Sequence, residues 1–169
     1  MTETLMDGIR AFGDLYSYDT SYMEFMLEAA PEAYGAFSAV QGLSEHRQGL
    51  DLDAHFVARV ATMRGEECGP CTQLTLRMAV AAGVRRDLLE TVIEHPEELP
   101  GVLRDVYAHA RSVATGNGVD PDRTQRLRRS LGEQAFVELG LCIAGSSLYP
   151  TLKRALGFDA ACEAPNLNF

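Results

Sequence analysis

Residues 69–83 read GPCTQLTLRMAVAAG and have the pattern of an α-helix with both ends marked. Gly69 and Pro70 suit the N-cap and the first helical position, because an N–H at the start of a helix would have no partner within the helix. One helical face then carries the apolar residues Cys71, Leu74, Met78 and Ala81. Gly83 suits the C-terminal end, so the segment predicts a helix from about residue 70 to just before Gly83.

The rest of the chain repeats with the same helical period, and no segment alternates as a β-strand between turn signals. Helices are predicted from Ser21 with Glu24 as a capping-box partner, from Pro31, over 52–65, over 87–94, over 103–113, over 120–131, around 136–143, and as a short last helix between Pro150 and Gly157. No repeat or linker divides the chain. We therefore expect an all-α helical bundle with one domain spanning residues 1–169.

Charge and composition exclude several function classes. Fifteen Lys and Arg against 24 Asp and Glu give a net charge of −9, which repels nucleic acid and anionic lipid. The longest uncharged stretch, residues 139–152, is shorter than the ~20 apolar residues of a membrane-spanning helix. The N-terminus lacks the basic and apolar pattern of a secretory signal. These features predict a cytoplasmic protein with no nucleic-acid and no membrane partner.

The four cysteines are too few for a disulfide scaffold, but two of them form a CxxC motif. Cys68 and Cys71 can close a small disulfide, and the positive end of a helix that begins at Pro70 would stabilise a thiolate there. Glu66 and Glu67 act in the opposite direction, because a nearby negative charge raises a thiol pKa unless the carboxylate serves as the proton acceptor. The motif therefore predicts redox chemistry, and whether the surroundings lower or raise the thiol pKa stays open.

Two other interpretations of the motif are a structural half-zinc site and a pair of buried thiols. The remaining cysteines and histidines form no second CxxC or HxxxH pair, so no metal is predicted. A thioredoxin fold would place Cys-Gly-Pro-Cys after a β-strand, whereas a helical stripe precedes it in this chain.

The wider segment 68–93, CGPCTQLTLRMAVAAGVRRDLLETVI, resembles the carboxymuconolactone decarboxylase and alkylhydroperoxidase-D-like family. In that family a CxxC opens a helix that ends in an Ala-Ala-Gly turn before a short acidic helix, and the similarity is clearest over residues 52–115. The resemblance implies an all-α bundle that assembles into trimers or hexamers and reduces hydroperoxides without a cofactor, with an external dithiol as reductant. It makes Cys71 the attacking thiolate and Cys68 the resolving thiol, whereas the exchange logic of thioredoxin-like sites would reverse these roles.

The chain departs from the family pattern at two positions. Redox-active members carry a histidine four residues after the second cysteine, where this chain has Thr75, and a glutamate about three turns before the first, where it has His55 and Phe56. His55 or Glu67 are the candidate replacements for the base. The alternative functions are a family member without the proton relay that binds a small ligand or senses redox state as an oligomer, and, less favoured, a lactone decarboxylase.

Other residues are assigned more ordinary roles. Cys142 is predicted to be a buried inert thiol and Cys162 a free one. The basic cluster Arg123, Arg126, Arg128 and Arg129 is predicted to pair with acidic neighbours. The early aromatic and methionine residues are assigned to the core, with a pocket or a subunit contact as the alternative; they are Tyr16, Tyr18, Tyr22, Met23, Phe25 and Met26.

Overall fold

The computed structural model describes residues 2–158 and 165–166. The described residues form nine α-helices and one short 3-10 helix, with no β-strand, which confirms the all-α prediction. The elements are α1 (Thr2–Tyr16), α2 (Ser21–Ala29), α3 (Pro31–Ser44), α4 (Leu52–Gly65), α5 (Gly69–Ala81), α6 (Arg86–Glu94), the 3-10 helix Pro96–Glu98, α7 (Gly101–Thr115), α8 (Pro121–Leu131) and α9 (Glu133–Ala155).

The helix α4 is the centre of the bundle. Every residue from 54 to 63 is buried, and α4 packs against α5, α6, α7 and α9. Its apolar side chains join those of the surrounding helices in one core, and each fully buried Val or Leu contributes about 1.5–3 kcal/mol. The helix that leads into the CxxC motif is therefore held on all sides.

The first three helices form a second layer over α5 and α9. The helix α1 packs on α2 and α5, and α3 packs on α2 and α9. Met6, Ile9 and Leu27 form a small core of their own within this layer. The Arg77 guanidinium of α5 donates a hydrogen bond of 2.9 Å to the carbonyl oxygen of Ser17, which fixes the end of α1 against α5. Helices were predicted for the α2 and α3 segments, but none was predicted for residues 2–16, where the structure has α1.

The predicted helix boundaries hold closely for α4 to α8, with one shift that concerns the site. The N-cap of α5 is Cys68 and not Gly69, because the Cys68 sulfur accepts a hydrogen bond from the backbone N–H of Cys71. The capping box at Ser21 is also wrong. Thr20 is the N-cap of α2 without a side-chain cap bond, and its hydroxyl donates to Glu24 at 3.0 Å.

The prediction of a separate short helix after Pro150 is wrong, because α9 runs unbroken through this proline. A proline inside a helix removes one hydrogen bond and costs about 3 kcal/mol in isolation. Here Ile143, Ser146 and Pro150 are all buried, and α9 packs against α3 and α4, so burial outweighs the local cost.

The unbroken α9 (Glu133–Ala155) is longer than the helix predicted around residues 136–143. By length and composition it could cross a membrane, and 44% of its most apolar window is buried inside the protein. The fold as a whole is compatible with a soluble protein.

Three arginines of the cluster on α8 form ion pairs within the chain, as predicted, whereas Arg129 forms none with the described residues. Arg126 makes two hydrogen bonds to the Asp105 carboxylate at 2.8 and 2.9 Å, and Arg123 lies 3.7 Å from the same group. Arg128 pairs with Glu133 at 2.9 Å. These arginines join α8 to α7 and α9.

Candidate functional site

The turn between α4 and α5 brings the CxxC motif to its position. The last residue of α4, Gly65, lies so close to α7 that an added Cβ would stand 2.7 Å from the Cβ of Ala114, which only glycine avoids. The next residues form a tight turn in which the N–H of Cys68 donates to the carbonyl of Met63 at 3.1 Å. Glu67 has a positive φ of 55°, a conformation that is unfavourable for a side-chain-bearing residue and is concentrated at functional sites.

Cys68 and Cys71 are joined in a disulfide, with Cα atoms 5.2 Å apart. Both lie at the N-terminus of α5, where the unbonded N–H groups and the helix dipole favour a thiolate in the reduced form. Cys71 is buried, with 2% of its surface exposed, whereas Cys68 is only partly buried. A CxxC disulfide of this kind is compatible with a redox role.

The two glutamates beside the motif have different surroundings. The Glu66 carboxylate forms an ion pair with the Arg154 guanidinium of α9, which also donates to the Glu66 carbonyl at 3.0 Å. Glu67 is exposed and directly precedes Cys68. The ion pair offsets the negative charge of Glu66 beside the thiols.

Thr75, at the position of the family's histidine, lies one turn after Cys71. Its hydroxyl donates a hydrogen bond of 2.8 Å to the carbonyl oxygen of Cys71, and the side chain is buried. The hydroxyl therefore satisfies the helix backbone and supplies no group that titrates near neutral pH.

Cys71 lines a cavity of about 300 Å³ between the N-terminal layer and the α4–α5 pair. The cavity wall comes from α1, α2, α3, α4, α5 and α9, and most of its surface is apolar or aromatic. Tyr18, Tyr22 and Met23, which the sequence left between core and pocket, are among the lining residues. The size and the apolar wall are those of a small-molecule site.

The charged residues that line this cavity, among those the structure describes, are Arg59 and Glu45. Arg59 projects from α4 and is 6% exposed. Its Nε has no hydrogen-bond partner, and the guanidinium carbon lies 5.6 Å from the centre of the Phe56 ring. Sequence reasoning missed Arg59, although a charged residue within the apolar stripe of a core helix was a usable signal.

Two tyrosines of the cavity wall lie beside a buried lysine. The Lys153 ammonium is 5.1 Å from the ring centre of Tyr18 and 5.4 Å from that of Tyr22. Burial raises the pKa of Tyr18 to about 12, and it also raises the pKa of Tyr22. Both hydroxyls are therefore protonated at neutral pH, and a hydrogen bond joins the two side chains.

His55, the other candidate base, lies on α4 one turn before Arg59 and is not among the residues that line the cavity. It is 4% exposed, and burial, with the charges of Arg59 and Arg47, lowers its pKa to about 4. Its backbone carbonyl lies 3.7 Å from the sulfur of Cys142. The structure therefore places His55 in the interior on the side of α9 and does not bring it into the cavity with Cys71.

Of the other two cysteines, Cys142 is not among the residues that line the cavity. Cys142 is fully buried, which confirms the prediction of a buried thiol, and burial raises its pKa to about 11. Cys162 lies outside the described residues. Within the described part of the chain, the one group of potential metal ligands is His95, Glu97 and Glu98, which is exposed and includes no cysteine.

Comparisons with family models, with curated proteins and with solved structures gave no match to this chain.

Proposed function

We propose that this protein is a thiol-dependent peroxidase of the alkylhydroperoxidase-D-like type, which reduces hydroperoxides through Cys71 and Cys68. The observation that carries the proposal is the asymmetry of the disulfide. The buried Cys71 lines an apolar cavity, and Cys68 is accessible from outside. A substrate can therefore meet one sulfur while a reductant meets the other.

In the proposed reaction the Cys71 thiolate attacks the terminal oxygen of the hydroperoxide. An S–O bond forms, the O–O bond breaks, and the alkoxide leaves and takes up a proton to become an alcohol. Cys68 then attacks the sulfur of the Cys71 sulfenic acid, which forms the disulfide and releases water. Both cysteines are oxidised by one electron each, and the hydroperoxide is reduced by two.

The cycle closes when an external dithiol reduces the disulfide. Its thiolate attacks the partly exposed Cys68 sulfur, which releases Cys71 as the thiolate, and its second thiol resolves the mixed disulfide. This order of events restores the reactive group inside the cavity. It also supports the assignment of Cys71 as the attacking thiol over the reversed, thioredoxin-like roles.

The protons in this scheme have candidate carriers near the site. Glu67 directly precedes Cys68 and is the candidate acceptor of a thiol proton. The Tyr22 hydroxyl, protonated and hydrogen-bonded to Tyr18 in the cavity wall, is the candidate donor to the leaving alkoxide. His55 lies outside the cavity wall, so we assign it no proton transfer.

The proposed setting of the protein rests on its composition and on the family resemblance. We propose a homo-oligomer, trimer or hexamer, in a reducing cytoplasm, with a hydroperoxide and a dithiol as partners and without nucleic acid, membrane or cofactor. The net charge of −9 supports the exclusion of nucleic acid and of anionic lipid membranes as partners.

A second candidate function is a redox sensor that binds a small ligand. It is favoured by Thr75, whose hydroxyl is bonded to the helix backbone where a relay base would stand. In this case the disulfide would still form and break, but hydroperoxide would not be turned over catalytically.

Hydroperoxide consumption by the fully reduced protein tests the proposal. We expect one equivalent of cumene hydroperoxide to be consumed for every two thiols lost, with continued turnover when a dithiol is supplied. Cys71→Ser should abolish the reaction, and Cys142→Ala, the matched control, should leave the stoichiometry unchanged. Turnover that persists in Cys71→Ser would remove the proposed nucleophile, and reversible disulfide formation without turnover in the unmodified protein would favour the sensor.

A further inference from the structure

Arg59 is a buried cation in the wall of the cavity. It has no hydrogen bond or ion pair within the described part of the chain, and its closest recorded partner is the ring of Phe56. The other charged lining residue, Glu45, is exposed and accepts a hydrogen bond from Gln41 at 3.3 Å. No ion pair joins Glu45 to Arg59.

A buried guanidinium without an acceptor destabilises the folded protein unless a ligand supplies the acceptor. An arginine cannot shed its proton to escape burial, and a buried charge without a partner is strongly destabilising. Most of the arginines elsewhere in the described chain bind a carboxylate or a backbone carbonyl, as Arg126, Arg64 and Arg77 do. Arg111 and Arg129 also lack such an acceptor among the described residues, but both are exposed to water. Arg59 is the buried one, so we look for its partner in the cavity that it lines.

We propose that Arg59 binds the carboxylate of an amphipathic organic acid whose hydrocarbon part fills the cavity. The guanidinium offers paired N–H donors that match a carboxylate, and the wall around it is mostly apolar or aromatic. A volume of about 300 Å³ accommodates roughly ten non-hydrogen atoms at ~30 Å³ each, which is the size of an eight-carbon acid.

The rest of the wall fits the hydrocarbon part of such a ligand. Phe37, Met63, Leu74 and Met78 line the cavity together with Cys71. The class of substrate rests on the proposed peroxidase function. The natural substrate is then an organic acid that carries a hydroperoxide group on its hydrocarbon part and binds Arg59 through its carboxylate. The arginine then fixes the orientation in which the O–O bond is presented to Cys71.

Binding of three eight-carbon probes to the disulfide form tests the proposal without any turnover. Octanoate, 1-octanol and octylamine have nearly the same shape and differ in charge. By titration calorimetry at low salt, octanoate should bind at least roughly tenfold tighter than 1-octanol, and octylamine most weakly. Equal affinity for octanoate and 1-octanol would overturn the proposal. This comparison uses the unmodified protein only.

Substitutions then locate the charge. Arg59→Met should weaken octanoate binding by roughly tenfold or more and leave 1-octanol binding unchanged, and Arg59→Lys should recover part of the loss. Arg129→Met, on the exposed face of α8, is the matched control and should change neither. Octanoate affinity that survives Arg59→Met in a protein with an unchanged circular dichroism spectrum would overturn the assignment to Arg59.

The two proposals fail separately. If octanoate binds through Arg59 but the reduced protein consumes no hydroperoxide, the anion site stands and the peroxidase function falls. If the protein reduces cumene hydroperoxide but shows no preference for octanoate, the anion site falls. If both hold, octanoate should raise the KM for the neutral hydroperoxide without lowering kcat, and Arg59→Met should remove this inhibition.

Discussion

Two polar side chains, His55 and Arg59, lie one helical turn apart in the middle of the buried helix α4. Burial acts on them differently because only one can give up its charge. His55 stays neutral, since burial and two nearby arginines lower its pKa to about 4. Arg59 keeps its proton under all ordinary conditions. The first therefore makes the fold sensitive to acid, and the second leaves a permanent positive charge at the cavity.

The depressed pKa of His55 predicts a specific loss of stability in mild acid. The unfolded chain takes up the proton near pH 6.5 and the folded protein only near pH 4, so the free energy of unfolding should fall as the pH drops through this window. The contribution is at most about 1.4 kcal/mol per pH unit. His55→Asn should reduce the slope measured by urea unfolding at several pH values.

The exposed His95 offers the control for this experiment, because His95→Asn should leave the slope unchanged. Burial also lowers the pKa of His109, so part of the slope remains in the His55 variant. A slope unaffected by His55→Asn would show that the imidazole is solvated in the folded protein.

A third polar side chain, Glu138, shows why a buried charge can also be purely structural. Burial would raise its pKa, but hydrogen bonds from the backbone N–H groups of residues 48–50 and from Gln134 outweigh burial and lower the pKa to about 2. The carboxylate thus fixes the loop before α4 onto α9. Arg59 has no comparable set of partners, which is what separates a candidate ligand site from a structural charge.

At the scale of the helices, the sequence predicted several helix ends correctly where a nearby capping residue or glycine determines them. Asp51 and Asp120 accept hydrogen bonds from the N–H groups two residues on, and Gly83 and Gly116 have the positive φ expected of helix ends. Pro150 misled the prediction for the opposite reason. The packing of α9 against α3 and α4 outweighs the local cost of the proline. The residue pattern of α9 alone does not predict this packing.

Two glycines of α9 provide a matched test of this packing. An added Cβ at Gly145 would stand 2.9 Å from backbone atoms of Ser44 on α3, whereas Gly140 faces open space. Gly145→Ala should therefore lower the free energy of unfolding by about 1–3 kcal/mol, because two backbones must separate. Gly140→Ala should raise it by up to about 1 kcal/mol through helix propensity.

Thermal and urea unfolding of the two variants checks this pair. Stabilisation by both substitutions would mean that α3 does not approach α9 as closely as the structure has it. Because α3 contributes Phe37 to the cavity wall, Gly145→Ala should also weaken octanoate binding more than Gly140→Ala does.

At the scale of the whole molecule, the candidate site joins residues that the sequence holds far apart. Cys68 and Cys71 could be predicted because the motif and its helix start are contiguous. The cavity could not, since Tyr22, Arg59, Cys71 and Tyr149 come from four helices whose packing order the periodicity does not determine. The only local signal for Arg59 was a charged residue within an apolar stripe, which was passed over.

The same packing gives the two cysteines different surroundings. The N-terminal layer covers Cys71 and encloses the cavity, while the turn after α4 leaves Cys68 partly exposed. A CxxC motif on a bare helix end would offer both sulfurs equally to substrate and reductant. The division of roles between the two thiols is therefore a property of the whole fold.

Trapping of the sulfenic acid tests this division most directly. The reduced Cys68→Ser and Cys71→Ser variants are each treated with one equivalent of hydroperoxide in the presence of dimedone, and the labelled residue is identified by mass spectrometry. The account predicts a dimedone adduct on Cys71 in the Cys68→Ser variant and none on Cys68 in the Cys71→Ser variant. An adduct on Cys68 with Cys71 unlabelled, or no adduct on either cysteine, would contradict it.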